Sequence, residues 1–189
     1  MMIYDPYPDR VEVKGREYEL NLAYDRVLRV IDLQDAEYLT PSDKLEVQCK
    51  MLLADPDECP DTDEDKVDIL KAVFDLFPKE EGKSAERFID FHQDAKMIRT
   101  AFFRIGIDLL KDKIHFFQFM ELLSDLPRDT ALMRVVDIRQ RPLPKPNKHN
   151  GEQIAALREA KAKVAIKYSE EESRRRFADS LKNSSVLRG

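Results

Sequence analysis

The sequence predicts a mainly α-helical protein, in which a compact helical domain carries a small N-terminal β-hairpin and an extended basic C-terminal arm. Apolar residues recur every three or four positions over most of the first 140 residues, the period of a buried helix face. Only 5 of the 189 residues are glycine, which disfavours turn-rich sheets and phosphate-binding loops. Basic residues accumulate towards the C-terminal end, where apolar residues are few.

The N-terminal segment predicts a β-hairpin over residues 10–22. Val11 and Val13 alternate with polar residues before the turn, and apolar residues alternate again after it. Lys14 and Gly15 supply the tight turn itself. Because an isolated hairpin is only marginally stable, we expect this one to pack on the helical body.

Helices are predicted over residues 23–37, 41–53 and 64–77. The second has the clearest start, because Thr40 offers a capping hydroxyl just before Pro41, which suits the first helical position. Between the second and third helices, the acidic segment 55–65 contains two prolines and is predicted to be a loop.

The segment 88–139 is the richest in aromatic and aliphatic residues and predicts helices over 94–105, 113–125 and 128–139. Gly106 follows the first of these as a left-handed helix stop. The helix over 113–125 is apolar around most of its circumference, so it is either central to the core or buried in an oligomer contact. Both interpretations stay open for the aromatic residues that are candidates for partner binding and self-association: Phe102, Phe103, Phe116, Phe117 and Phe119.

Charge is divided unevenly along the chain. Residues 141–189 hold 12 lysines and arginines against 6 acids, a charge of +6, and the first 140 residues hold 20 against 31, a charge of -11. We therefore predict a helical domain over 1–140, a proline-rich linker over 141–151, and a charged, helix-prone or disordered arm over 152–189. The arm of one molecule is expected to attract the body of another, with Arg174, Arg175 and Arg176 as candidate contacts.

The best candidate for a metal site is the acidic loop, where Asp61, Asp63 and Asp65 match the first three ligands of a calcium loop. Lys66 then stands where such a loop needs glycine, and Ala72 stands where it needs glutamate. We therefore interpret the segment as a solvated acidic loop and predict no metal ion.

The sequence contains no recognisable catalytic motif. His92, His115 and His149 lack the spacing of metal ligands. The sequence contains no nucleophile elbow, phosphate loop or dinucleotide fingerprint. Cys49 and Cys59 are expected to be free thiols, since the chain shows no secretory signal, and no stretch is long and apolar enough to predict a membrane span. We therefore expect a protein without cofactor and without enzymatic activity.

One series of short motifs runs through residues 90–139. Its members are Asp90-Phe91-x-Gln93-Asp94-Ala95, Ile98, Ala101-Phe102, Gly106-Ile107-Asp108-Leu109, Ile114-His115-Phe116-Phe117-x-Phe119, Leu122-Leu123-x-x-Leu126-Pro127-x-Asp129-Thr130 and Ile138-Arg139. This order of residues resembles the tail assembly chaperone family of long-tailed phages and prophages of Listeria and related bacteria. The family usually has tryptophans in its aromatic block, where this chain has Phe116 and Phe117, and often a tyrosine where this chain has Ile105.

The resemblance implies a non-enzymatic role in building the phage tail. It implies that the chain binds the tape measure protein, keeps it soluble, helps to recruit the tail tube protein, and self-assembles into multimers. It also implies a place in the host bacterial cytoplasm and absence from the mature virion. A helical body with an apolar groove suits this role, because a partner helix presents its anchors at positions i, i+3, i+4 and i+7.

The alternative is a nucleic-acid-associated phage protein that uses the basic arm. Arg174, Arg175 and Arg176 form a basic patch, but each arginine has a glutamate four residues earlier, with which it can pair along a helix. The arm offers only Tyr168 and Phe177 for base stacking, and the chain as a whole is acidic. We therefore expect protein partners, and neither nucleic acid nor a membrane as the main target.

Overall fold

The computed structural model describes residues 5–77 and 87–168. Within these ranges the chain forms seven α-helices and one two-stranded antiparallel hairpin, so the predicted mainly α class with a small hairpin is confirmed. Most of the predicted connector over 79–87 and the three candidate arginines Arg174, Arg175 and Arg176 lie outside the described residues.

The chain folds into two compact units that alternate along the sequence. Among the described residues, the first unit comprises 5–77 and 102–126, and the second comprises 87–101 and 127–168. The chain therefore enters and leaves the second unit before it reaches the C-terminal segment.

The hairpin consists of strands β1 (Arg10–Val13) and β2 (Arg16–Glu19), with Val11 opposite Tyr18. Lys14 and Gly15 form the turn with φ angles of 51° and 80°. Two successive positive φ angles are the signature of a type I′ turn, whose twist matches that of the strands. The predicted hairpin and its turn are thus confirmed.

The first unit continues with α1 (Tyr24–Leu33), α2 (Pro41–Leu52), a short 3-10 helix (Pro56–Glu58) and α3 (Asp63–Asp75). As the sequence predicts, α2 begins with Thr40, whose hydroxyl accepts the Asp43 N–H at 3.2 Å. Thr62 caps α3 in the same way, accepting the Asp65 N–H at 3.3 Å. Each cap satisfies a backbone donor that a helix start leaves unpaired.

The hairpin, α1, α2 and α3 share one hydrophobic core. Helix α1 packs against α2, α2 against α3, and α3 against β1. The hairpin is also tied to the end of α2, where the Asn21 N–H donates to the Leu52 carbonyl at 2.7 Å and the Ala54 N–H donates to the Glu19 carbonyl at 2.9 Å. The core residues are Val11, Tyr18, Leu20, Leu22, Val27, Val30, Cys49, Leu52, Leu53, Ile69, Leu70 and Val73.

Helix α4 (Ala95–Arg104) contributes residues to both units, and α5 (Phe116–Ser124) completes the first. The sequence predicted that α5 would start at residue 113. It starts at 116 because the preceding residues are extended and paired with the segment before α1. The Tyr24 N–H donates to the Ile114 carbonyl at 3.0 Å, and the Phe116 N–H donates to the Leu22 carbonyl at 2.7 Å.

The second unit contains α6 (Ala131–Gln140) and α7 (Gly151–Val164), which pack against each other. Residues 141–150, most of the predicted linker, form no helix, and all but Asn150 are exposed. Asn150 is buried, and its side chain donates to the Lys145 carbonyl at 2.9 Å and accepts the Asn147 N–H at 2.8 Å. Part of the predicted helix-prone arm is therefore a helix packed on α6, anchored through buried Ile154.

Candidate partner-binding surfaces

An aromatic network fills the first unit where α4, α5 and α1 meet. The Phe119 ring stacks on the rings of Tyr24 and Phe102 at centroid distances of 4.9 and 5.0 Å. The Phe77 ring meets those of Phe116 and Phe117, each at 5.3 Å. Such pairs stabilise a core beyond the burial of their area, by about 0.5–1.5 kcal/mol each.

Burial separates the five aromatic candidates into three groups. Phe102 and Phe119 are fully buried core residues, and Phe116 and Phe117 are half-buried within the network. Phe103 alone of the five is exposed, with 69% of its surface accessible. Helical spacing predicts this difference, because Phe102 continues the apolar stripe of Ile98 and Ala101 and Phe103 lies off that stripe.

The end of α4 fixes where Phe103 lies. Gly106 has a φ of 89°, as predicted for a left-handed stop. The Ile107 N–H donates to the Phe102 carbonyl at 3.0 Å, and the Gly106 N–H donates to the Phe103 carbonyl at 3.1 Å. This pair of bonds is a Schellman motif, which satisfies the last carbonyls of the helix.

A second exposed apolar side chain, Leu110, follows in a turn held by two carboxylates. The Asp108 carboxylate accepts the Leu110 N–H at 3.1 Å, and the Asp112 carboxylate accepts the Asp108 N–H at 2.8 Å. Neighbouring Leu109 is buried, and its carbonyl accepts the hydroxyl of Tyr24. Leu110 is nevertheless 70% exposed, so an ordered turn holds a large apolar side chain in water. We call Phe103 and Leu110 the apolar surface.

His115 caps α5 in a neutral form. Its Nδ1 accepts the Phe117 N–H at 3.2 Å, which leaves Nε2 to donate to the Pro8 carbonyl at 3.2 Å. The ring also stacks on Tyr7 at 4.9 Å. Burial lowers the pKa of His115, although the Pro8 carbonyl and Asp9 act in the opposite direction.

A groove between α1 and α2, which the sequence did not indicate, is a second candidate. One end, about 500 Å³, contains Met51 and Pro56, and the other, about 330 Å³, contains Leu33 and Tyr38. Val47 and Met51 lie in both parts, and Tyr38 is 83% exposed. Val47 and Met51, four residues apart on α2, were the only signal in the sequence, and Met51 also packs against the core. The basic residues along this α1–α2 groove are Arg26, Arg29 and Lys50.

The motif residues Asp94 and Arg139 form a buried ion pair in the second unit. Nη1 and Nη2 of Arg139 donate to the two carboxylate oxygens of Asp94 at 2.5 and 2.9 Å. The guanidinium also donates to the carbonyls of Phe88 and Val164, at 2.8 and 2.6 Å, and Asp94 accepts the Asp90 N–H at 2.9 Å. These residues hold α6, the end of α7 and the turn before α4 together, so their role here is structural.

The acidic loop uses its carboxylates for helix capping and ion pairs. Asp65 accepts the Thr62 hydroxyl at 2.6 Å and pairs with Lys14 at 2.6 Å. Lys66 donates to the Asp61 carbonyl at 3.2 Å and pairs with Asp63 at 3.4 Å. Across residues 5–77 and 87–168, no group of three or more His, Cys, Asp or Glu side chains is arranged to hold a metal ion.

The two units carry opposite charge. The described residues of the first unit hold 12 lysines and arginines against 24 acids, a formal charge of -12. Those of the second hold 13 against 6, a charge of +7. In that unit, Arg128, Arg134 and Arg141 line a groove of about 570 Å³ along α6.

Comparison with known proteins identifies the family. Residues 3–166 match the family model described as bacteriophage Gp15 protein. No curated protein and no solved structure matches the chain. None of the helices that the structure describes is long and apolar enough to cross a membrane. The family match shows a phage protein of a structural or morphogenesis type, and it does not single out the tail assembly chaperones of Listeria phages. The chain belongs to the bacteriophage Gp15 protein family.

Proposed function

We propose that this phage protein is a tail assembly chaperone. It binds the tape measure protein, keeps it soluble and helps to recruit tail tube subunits, as a multimer in the host cytoplasm that is absent from the mature virion. The observation that carries the proposal is the apolar surface, where Phe103 and Leu110 are about two-thirds exposed or more. Two large apolar side chains exposed within one short segment are candidates for a protein-binding surface.

The α1–α2 groove offers a second contact, long enough for a partner helix. The groove extends along α1 from Asp25 to Leu33, which at 1.5 Å per residue is about 12 Å, or roughly two helical turns, and it continues to Ala36 beyond the end of α1. Met51 supplies an adaptable apolar contact, and Val47 is partly exposed beside it. Anchors at positions i, i+4 and i+7 of a partner helix match such a length.

The charges along the groove are of both signs. Asp25 pairs with Lys113 at 2.6 Å, Lys50 pairs with Glu46 at 2.5 Å, and Asp32 lines the same end of the groove as Arg29. The guanidinium of Arg29 has no ion-pair partner among the described residues, which supports an amphipathic helix with an apolar stripe and an acidic residue beside Arg29 as the occupant.

Co-expression with the tape measure protein of the same phage tests the proposal. We expect the full chain to keep that protein in the soluble fraction and to co-purify with it. The Phe103→Ser/Leu110→Ser variant should fold normally and lose most of this activity. Leu143→Ser is the matched control, because Leu143 is also an exposed leucine but lies outside both surfaces.

An insoluble tape measure protein in the presence of well-folded wild-type chain would overturn the proposal. If both proteins are soluble and co-purify but the double variant behaves like the control, the chaperone function holds and the apolar surface is not its site. Met51→Asp would then test the groove.

The basic second unit favours a second candidate function, association with nucleic acid. Its charge of +7 and the arginine-lined groove along α6 are the specific observations. Binding through phosphates would weaken steeply as salt rises. Retention of the full chain on DNA or RNA at low salt, lost in an Arg128→Ala/Arg134→Ala variant, supports this function, and no retention at low salt dismisses it.

A further inference from the structure

The groove along α6 in the second unit combines apolar and basic side chains. Met133, Val136 and Ile138 form its apolar lining, and Val136 is buried. Arg128 and Arg134 line the same groove and are exposed. Neither guanidinium has an ion-pair partner within the part of the chain that the structure describes. The apolar lining favours a protein partner over nucleic acid, because a phosphate backbone offers no apolar side chains.

The acidic loop of the first unit offers charges of the opposite sign. Asp55 precedes the 3-10 helix Pro56–Glu58, and its carboxylate accepts the Asp57 N–H at 2.9 Å, so this part of the loop is ordered. Asp57 and Asp61 are exposed, and neither carboxylate has an ion-pair partner among the described residues of either unit. A proline directly precedes each of these two acids, so apolar rings lie beside the charges.

We propose that the α6 groove of one copy receives the acidic loop of a second copy. Arg128 and Arg134 then face Asp57 and Asp61, and the proline rings contact the apolar lining. The sizes agree, because α6 is about 15 Å long and residues 57–61 span at most about 14 Å. Opposite charges steer the two surfaces together and fix their register.

The groove and the loop lie in different units of the chain, so the contact is heterologous. After two copies have paired, one groove and one loop stay free, and each can take a further copy. The contact therefore builds head-to-tail arrays. This inference deepens the proposed function, on whose multimer it rests, by naming the two surfaces that meet.

Paired charge reversal in the full chain tests the contact. We expect Arg128→Glu/Arg134→Glu and Asp57→Lys/Asp61→Lys each to stay near the 22.1 kDa of one chain in light scattering at low salt, because like charges then face each other. An equimolar mixture of the two variants should regain a mass that rises with concentration, because each now complements the other. If the mixture is no heavier than its components, the proposal is overturned.

Lys145→Glu/Lys148→Glu is the matched control. Both lysines are exposed in the second unit, and neither lines the α6 groove. The change in net charge equals that of the groove variant, so the control should assemble like the wild-type chain. Loss of assembly in the control would assign self-association to overall charge instead of the groove, and would refute the contact.

Neutral variants keep the test decisive if a reversal fails to fold by circular dichroism. Arg128→Ala/Arg134→Ala and Asp57→Asn/Asp61→Asn remove the attraction without introducing opposite charge, and both should also stay near the mass of one chain. Assembly retained in either folded variant would count against the proposal.

Nuclease treatment before light scattering separates the other use of the groove. If the mass of the wild-type chain then falls to that of one copy, the groove holds nucleic acid and the contact between copies is refuted. No tape measure protein is present in these measurements, so their failure leaves the co-expression result unchanged. Rescued assembly together with an insoluble tape measure protein would overturn the chaperone function and leave the contact standing.

Discussion

Single residues decide much of the stability of the second unit. The Asp94–Arg139 pair is almost completely withdrawn from water, with 0% and 6% of the side chains exposed. Removing two charges from water is costly, and that cost is offset here by two direct bonds and by further bonds to backbone groups. Removal of one member leaves the other charged and unpaired.

The first prediction concerns Arg139→Met. We expect it to lower the free energy of unfolding of the second unit by about 3–5 kcal/mol, because the Asp94 carboxylate is left buried and unpaired. Urea unfolding followed by circular dichroism measures the effect.

Arg141→Met is the matched control, because Arg141 pairs with Asp137 at the surface near the same end of α6. That change should cost about 0–1 kcal/mol. In the double variant Asp94→Asn/Arg139→Met, the two effects should be clearly less than additive, and simple additivity would mean that the pair is not coupled.

The second prediction is a pH dependence at His115. The pKa of His115 is lower in the folded protein than in the unfolded chain, so the folded state binds a proton less readily. Neutral His115 therefore stabilises the fold above the unfolded pKa of about 6.5, and this contribution is lost as the pH falls below that value. Between about pH 7.5 and pH 5.5 the melting temperature of the wild-type chain should fall. In His115→Asn, which keeps a capping acceptor, that fall should be smaller. An equal fall in both proteins would contradict the prediction.

The residue scale is also where sequence reasoning reached its limit. The aromatic density identified the right segment, but one ring is buried at Phe102 and the next is in water at Phe103. Periodicity placed Phe102 on the buried stripe, but both rings stayed candidates for partner binding, because a pattern of apolar residues does not show how much surface the neighbouring elements cover. Arg139 could have been found, because it continues the buried stripe of Leu132 and Val136 on α6.

At the scale of elements, several helix boundaries are marked by capping residues close to them in the sequence. Thr40 caps α2 and Gly106 ends α4, as the sequence predicted, and Thr62 and Thr130 also cap helices. The sequence predicted that α6 starts at residue 128, whereas the Thr130 cap places its start at Ala131. The start of α5 was missed because it depends on pairing with a segment about 90 residues away. The packing of α7 on α6 was also missed, because α7 has few apolar residues and its sequence gave little sign that it packs on another helix.

The third prediction compares two glycines. Gly106→Ala should lower the free energy of unfolding by about 1–2 kcal/mol, because the left-handed conformation disfavours a Cβ atom. Gly151→Ala, at the first turn of α7, should change it by less or raise it by up to about 1 kcal/mol. Neither added Cβ meets a neighbour within 4 Å, so the difference isolates the backbone conformation. Equal effects in thermal or urea unfolding would argue against the assigned helix stop.

At the scale of the whole molecule, charge is partitioned more sharply between the units than between the two ends of the sequence. The sequence suggested a boundary near residue 141, and the fold adds residues 87–101 and 127–140 to the basic side. Because one unit is acidic and the other is basic, the acidic unit of one copy can contact the basic unit of the next. Such a heterologous contact generates rings or open arrays.

The fourth prediction is that self-association depends on salt. In light scattering at low salt, we expect the apparent mass to rise above the 22.1 kDa of one chain as concentration increases. At about 1 M salt, where charges are screened beyond about 3 Å, it should return towards one chain. A chain ending at Tyr168 keeps α7 and shows whether the last residues contribute. If the apparent mass rises equally at low and high salt, the contact between copies is made by apolar surfaces instead.

The alternation of the two units along the chain has a genetic consequence. A unit encoded by one continuous stretch can be exchanged between related genes by a single crossover at its edge. Here a crossover at any point between residues 87 and 126 joins part of each unit from one parent to the remainder from the other, since 87–101 belong to one unit and 102–126 to the other. A crossover between residues 94 and 126 takes the buried Asp94 from one parent and residue 139 from the other. A recombinant chain therefore folds only if both parents have matching residues at positions 94 and 139. The two halves of the gene are then expected to be inherited together.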